Sequence, residues 1–338
     1  MNSIGKGAAI LGCAGPVLLP DESAFFRDYN PFGFILFARN VADPDQLRRL
    51  TGDLREAVGR DAAILVDQEG GRVQRLRAPH WHEWTPPLDF VQGAGNNAAR
   101  AMYLRYRLIA RELRAVGIDA NCAPVGDLIT DTTHPFLKNR CYGTDPAQVS
   151  AIAVAVAQAH LAEGVLPVAK HMPGHGRSTV DAHHDLPTVT APRDQLLTHD
   201  FAPFRALKDL PMAMTGHLIF TACDDQHPAT QSPVMINLIR DEIGFHGLLM
   251  TDDLNMNALA GTLATRTAAA MAAGCDLALH CKGDLAEMQS VALAAGDMSP
   301  ATRTRAHAAL AARRNPDPVD IASLQAELSA IMAGTDHG

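Results

Sequence analysis

The amino-acid sequence predicts a (β/α)8 barrel, and three observations carry that expectation. Eight short apolar runs recur along the chain. Helical patterns fill the intervals between them. No Pro/Ser-rich linker or composition shift divides the 338 residues. Strand–helix alternation repeated eight times closes into a barrel of the TIM type. This length suits one such unit, so the whole chain, 1–338, is read as a single domain.

The expected strands are Ala8–Cys13, Gly33–Ala38, Ala62–Asp67, Asp119–Pro124, Leu166–Lys170, Met212–Gly216, Gly247–Asp252 and Asp276–His280. Each is a near-continuous apolar stretch, as a parallel strand buried on both faces requires. The first follows Lys6 and ends at a cysteine, faintly like a lipoprotein leader. Its apolar stretch is too short for one, so a barrel strand is expected there. The clearest helices are Ala98–Val116, Pro146–Glu163, Arg193–Lys208 and Ala264–Ala273. Asp145-Pro146 supplies an N-cap and then a proline in the first turn, and Ser232-Pro233 does the same before the seventh strand. Gly117 and Gly164 sit where helices should stop. From about residue 283 the chain reads as helices packed on the barrel, with a polar tail.

Composition narrows the partners. Apolar residues make up 47% and charged residues 20%, enough for a core and too little charge for disorder. A formal net charge of −8 disfavours nucleic acid, and 5% aromatic residues give little to stack bases on. No run reaches the roughly 20 apolar residues that a membrane helix needs. The six cysteines are scattered without a C-x-x-C pair, which reads as reduced thiols in a cytoplasmic protein.

Function in such a barrel belongs at the C-terminal ends of the strands. There the third strand ends in Asp67-Gln-Glu69-Gly-Gly-Arg72, and the fourth runs into Asn121 and Asp127. The fifth ends in Lys170-His171, the sixth near His217, and the seventh in Asp252-Asp253. Any one of these reads as a cap or salt bridge. Together they deliver charge to a single rim.

The longest signal runs from Lys170 to Pro187 and contains Pro173-Gly174-His175-Gly176 and Asp181-Ala-His183-His184-Asp185. Its glycines permit unusual backbone angles. Asp181, two residues before His183, could orient that imidazole. Histidine suits a group that donates and then accepts a proton near neutrality. A metal site is the competing reading, from His171, His175, His183, His184 and Asp185. H-x-x-x-H is metal-like only on a helix, which Pro173-Gly174 prevents, so no metal is expected. At the seventh strand end, adjacent carboxylates should face opposite ways, so only one of Asp252 and Asp253 should enter the barrel mouth. Spacing alone leaves open which.

At these residues the chain resembles the family-three glycoside hydrolases, in particular the single-domain bacterial β-N-acetylhexosaminidases of cell-wall recycling. The resemblance spans nearly the whole chain. It rests on the segments from Gly33 to Asn40, Asp67 to Arg75, Asn121 to Asp127 and Arg140 to Gly143, on the long loop, and on Thr251-Asp-Asp-Leu. The loop pattern K-H-x-P-G-H-G-x4-D-x-H is the most specific of these. The resemblance implies Asp252 as nucleophile, His183 as acid/base and Asp181 as its partner. It places Asp67, Arg75, Arg140, Lys170 and His171 around the terminal sugar. Met172, Ala182 and Cys141 depart from the usual residues without removing a reacting group.

The implied activity is exo-acting release of terminal β-linked N-acetylglucosamine from peptidoglycan fragments, through a covalent glycosyl-enzyme. A retaining glycosidase usually pairs two carboxyl groups about 5 Å apart. Here a loop histidine would replace the second, and this chemistry requires no cofactor. The implied partner is a small carbohydrate, and the chain is expected to be a monomer or weak dimer. A β-glucosidase-like enzyme, a sugar-binding protein without turnover, and a transferase or phosphorolytic variant stand as alternatives.

Overall fold

A computed structural model of the protein describes residues 4–180 and 185–334. Eight parallel strands close into a barrel: β1 (Gly7–Leu11), β2 (Pro31–Leu36), β3 (Ala63–Val66), β4 (Ala120–Asn121), β5 (Leu166–Met172), β6 (Met212–Thr215), β7 (Leu248–Asp253) and β8 (Leu277–His280). Each strand pairs with its neighbour in sequence, and β8 returns to β1 with Ala9 opposite Ala278. All eight expected strands are present.

The strand sequences are apolar throughout because alternate residues enter two different cores. Ile10, Ile35, Leu65, Val168, Met214, Met250 and Leu279 point into the barrel. Leu11, Leu36, Ile64, Val66, Ala169, Leu249 and Ala278 point outward to the helices. Burial on both faces removes the polar alternation of a half-exposed strand.

The main helices are α1 (Pro20–Tyr29), α2 (Pro44–Val58), α3 (Pro87–Ala94), α4 (Ala98–Ala115), α5 (Pro146–Glu163), α6 (Ala202–Ala206), α7 (Pro233–Asn237), α8 (Leu263–Ala273), α9 (Leu285–Ala295), α10 (Pro300–Ala311) and α11 (Ile321–Met332). The sequence signals at their ends are used as expected. Asp145 accepts from the Gln148 N–H, and Ser232 accepts from the Met235 N–H. Gly164 closes α5 in the left-handed region, at φ 75°. Helix α10 covers the N-terminal mouth of the barrel, where Ala306, Ala309 and Leu310 join the inner core. Asp276, just before β8, anchors it by accepting from Arg305, Thr302 and Arg240 at 2.7–3.0 Å. A carboxylate at that end of a barrel reads as stability.

Two expectations change. Arg193–Lys208 is not one helix. A single turn at Arg193–Gln195 leads into a wider turn at Leu196–Asp200, and α6 follows. Pro203 has no N–H for the carbonyl four residues back, and the chain uses a wider bond from the Phe201 N–H to Leu196 O at 2.8 Å. Strand β4 is also shorter than Asp119–Pro124. The Asn121 side chain takes over the pairing there: its Oδ1 accepts from the Gln68 N–H at 2.9 Å, and its Nδ2 donates to Gln68 O at 3.1 Å. Among the described residues no helix is long and apolar enough to cross a membrane.

Candidate active site at the barrel rim

A cavity of about 260 Å³ opens at the C-terminal ends of the strands. Its charged lining includes Asp67 after β3, Arg72 and Arg75 beyond it, Arg140, Lys170 and His171 on β5, and Asp252 and Asp253 on β7. Ile35, Phe37, Phe136, Met214, Met256, Leu279 and Cys281 supply apolar wall. The five residues expected around a sugar and the expected nucleophile therefore share one cavity. Asp181 and His183 lie outside the described residues.

Lys170, Arg140 and Arg75, which line this cavity, are held in an ion network with Asp67 and with Glu69, which lies beneath. Lys170 Nζ lies 2.7 Å from Asp67 and 2.6 Å from Glu69. Arg140 donates to both Glu69 oxygens, at 3.0 and 2.8 Å. Arg75 donates to the second Asp67 oxygen at 3.1 Å. Glu69 is wholly buried, with 0% exposure. Burial alone would raise its pKa, but Arg140 and Lys170 outweigh that and bring it down to about 2. Burial likewise opposes ionisation of Asp67, and Lys170 and Arg75 still hold its carboxyl well below the usual range. The two carboxylates thus stay ionised at neutral pH.

Histidine 171 is fixed from two sides. Its Nδ1 lies 2.7 Å from Asp127, and its Nε2 lies 3.4 Å from an Arg140 N–H group. Arginine can only donate, so a neutral ring that accepts there carries its proton on Nδ1.

At β7 the strict alternation expected from the sequence fails. Both Asp252 and Asp253 line the cavity. The register between β7 and β8 shifts between Met250 and Asp253, so three steps on β7 match two on β8. Such a bulge turns the strand end and re-aims its side chains. The two carboxyls are nevertheless in different states. Asp253 Oδ1 accepts from the Asn255 and Cys281 N–H groups, both at 3.2 Å. Burial, with the neighbouring Asp252 charge adding to it, raises its pKa to about 6. Burial also works against Asp252, but His171, His217 and the Asp253 N–H at 2.8 Å reverse the sign and lower its pKa. Asp252 is therefore ionised at neutral pH. His217 is packed between Thr230 and the Asp253 carbonyl, to which its Nε2–H donates at 3.0 Å.

Sequence reasoning assigned no role to Glu69, although it sits inside a segment that marked the rim. Nothing in its position relative to Asp67 told which acid met the cavity and which lay beneath. The apolar lining residues Phe37, Phe136, Met214 and Met256 carried no signal either. Among the described residues no cluster of three or more His, Cys, Asp or Glu side chains could hold a metal ion.

The Arg39–Asn40 segment proves to be a tie between strand ends. Arg39 and Asn40 both donate to Cys13 O at 3.1 Å, joining the loops after β1 and β2.

Comparison with known proteins bears on this geometry. Residues 21–310 match the glycosyl hydrolase family 3 N-terminal domain. A β-hexosaminidase of Bordetella pertussis is 34% identical over 288 residues, covering 83% of this chain and 82% of that protein. NagZ from Neisseria gonorrhoeae superposes with a TM-score of 0.84 at 28% identity, over 98% of both chains. Its complex with N-trifluoroacetyl-D-glucosamine gives 0.83 at 28% identity, over 99% of this chain and 98% of that one. The match to the family model over most of the chain, with relatives of similar length and the same barrel, shows that this chain belongs to glycosyl hydrolase family 3.

Proposed function

We propose that the chain is an exo-acting β-N-acetylhexosaminidase that releases terminal β-linked N-acetylglucosamine from peptidoglycan fragments with retention of configuration. The observation that carries this reading is the cavity itself. An ionised carboxylate, Asp252, shares it with Asp67, Arg140, Lys170 and His171, the groups that in this reading grip the sugar. At about 260 Å³ the cavity falls below the roughly 300–1,000 Å³ of pockets for drug-sized ligands. That size supports one terminal sugar ring over a bound oligosaccharide. The names of the relatives, and the glucosamine derivative in one of them, support the 2-acetamido sugar.

In this reading an Asp252 oxygen attacks the anomeric carbon as the glycosidic C–O bond breaks. The proton carried by His183 passes to the departing oxygen, and a covalent glycosyl-enzyme results. His183 then takes a proton from water, which attacks the same carbon and frees Asp252. Asp181 orients His183. Arg75 acts by holding Asp67. All six cysteines are unpaired, which supports a reducing, cytoplasmic setting.

The test uses two 2-acetamido substrates, one with a nitrophenyl leaving group and one with a sugar. His183→Ala should slow the sugar-leaving substrate far more than the nitrophenyl one, because only the poor leaving group needs a proton. Equal loss on both would sink the acid assignment. Faster cleavage of nitrophenyl β-glucoside than of its 2-acetamido analogue would sink the substrate assignment.

A further inference from the structure

Asp127 is almost fully buried, at 1% exposure, and does not line the cavity. Its carboxylate nevertheless collects three hydrogen bonds from the two halves of the site. Oδ2 accepts from His171 Nδ1–H at 2.7 Å. Oδ1 accepts from the backbone N–H of His171 at 3.2 Å and of His175 at 2.7 Å. His171, assigned to the sugar, is the penultimate residue of β5. His175 stands at the root of the loop that carries Asp181 and His183. The rest of that root is packed against the segment following Asp127. Thr133 Oγ1 donates to Gly176 O at 2.5 Å, and the His134 N–H donates to Ser178 O at 2.9 Å.

We infer that Asp127 is a positioning residue that sets the tautomer of the sugar-gripping His171 and, through the same carboxylate, the take-off of the acid/base loop. The inference rests on the acid/base reading of His183.

The chemistry follows from donor counting. An ionised carboxylate only accepts, so it demands Nδ1–H on His171 and leaves Nε2 to accept from Arg140. Burial would raise the Asp127 pKa, but His171 and His175 bring it down to about 2, so it remains the acceptor at neutral pH. Asparagine has the same shape. Its oxygen could still hold the two backbone N–H groups, but its NH2 would then face His171 Nδ1. The imidazole would have to move its proton to Nε2, where the Arg140 donors oppose it. Arg140 is itself held by Glu69, so the conflict falls on His171.

The test is Asp127→Asn in the full chain, read by kinetics on the two leaving groups and by ¹⁵N NMR of the His171 ring. The expected result is a shift of the His171 proton from Nδ1 to Nε2, a raised KM on both substrates, and a kcat loss of about 100-fold on the sugar-leaving substrate, the scale of a 1 Å misplacement. The nitrophenyl substrate should lose much less in kcat. A role confined to stability would lower the melting temperature and leave the tautomer and the leaving-group contrast intact, which overturns the inference. If the variant does not fold, the unaltered enzyme decides. Saturating N-acetylglucosamine should move the His171 ring and the His175 amide resonances together, and a His175 amide that stays still overturns the coupling. The two readings fail separately. His183→Ala without leaving-group contrast removes the acid assignment. A clear contrast in His183→Ala with none in Asp127→Asn removes only the role of Asp127.

Discussion

Glu69 shows how a residue with no contact to the cavity governs those that have one. It is the shared counter-ion of Arg140 and Lys170, and it has no solvent to fall back on. Removing one partner from a buried ion group is far more damaging than removing the whole group, because a desolvated charge is left behind. Glu69→Gln should therefore cost about 3–5 kcal/mol of stability in urea unfolding. A loss under 1 kcal/mol would show that Lys170 and Arg140 are adequately held by Asp67 alone. The same rim shows what the sequence could reveal at this scale. Acidic and basic residues at strand ends were visible as a set, since the barrel geometry assigns meaning to that position. Their division into cavity-facing and supporting groups was not visible, because it depends on side-chain direction. Asp252 and Asp253 make the point. Alternation predicted one inward carboxylate, the bulge in β7 brought both to the cavity, and the differing pKa shifts, not direction, distinguish them.

Among the elements, the strands were legible because burial on both faces leaves an uninterrupted apolar run, and the helices were legible where caps and glycines punctuated them. The exceptions have local causes. Apolar content did not reveal that Pro203 would widen the turn before α6, or that the Asn121 side chain would replace a strand ladder in β4. Gly164 is the most demanding of the stops. It has φ 75°, and a Cβ there would sit 2.0 Å from Arg314 O in the segment after α10. Gly164→Ala must strain both the backbone angle and that crossing, so it should destabilise by more than about 1 kcal/mol. Thermal unfolding checks this, and an unchanged melting temperature would mean that the crossing segment yields freely.

At the scale of the whole molecule, buried titrating groups set how the fold responds to acid. His160 donates from Nδ1 to Val156 O at 2.8 Å, and its Nε2 faces Asn121 Nδ2 at 3.0 Å, an arrangement that suits only the neutral ring. Burial lowers its pKa from 6.5 to about 4, and it does the same to His280. Burial, with His171 close by, takes His175 to about 3. Groups with depressed folded pKa values stabilise above the unfolded value and lose that contribution as pH falls through the folded one. These three histidines should thus erode stability from about pH 6.5 down to about 3–4. Glu69 and Asp127, each brought to about 2, add their loss from about pH 4.5 downward. Asp253 acts oppositely. Its raised pKa of about 6 weakens the fold at neutral pH, and that cost is relieved between about pH 6 and 4. Three groups outnumber one, so the unfolding free energy should decline below about pH 6.5 and steepen below 4.5. A flat profile between pH 7 and 4 would contradict the buried neutral histidines.

The account as a whole turns on Asp252 forming a bond to the sugar. A fluorinated, slowly hydrolysed N-acetylglucosaminide should accumulate as a covalent adduct, visible as one added sugar mass on the intact chain. Peptide mapping should place that mass on Asp252. A label on Asp253 or Asp67, or steady turnover with no adduct under conditions that trap other retaining enzymes, would contradict it.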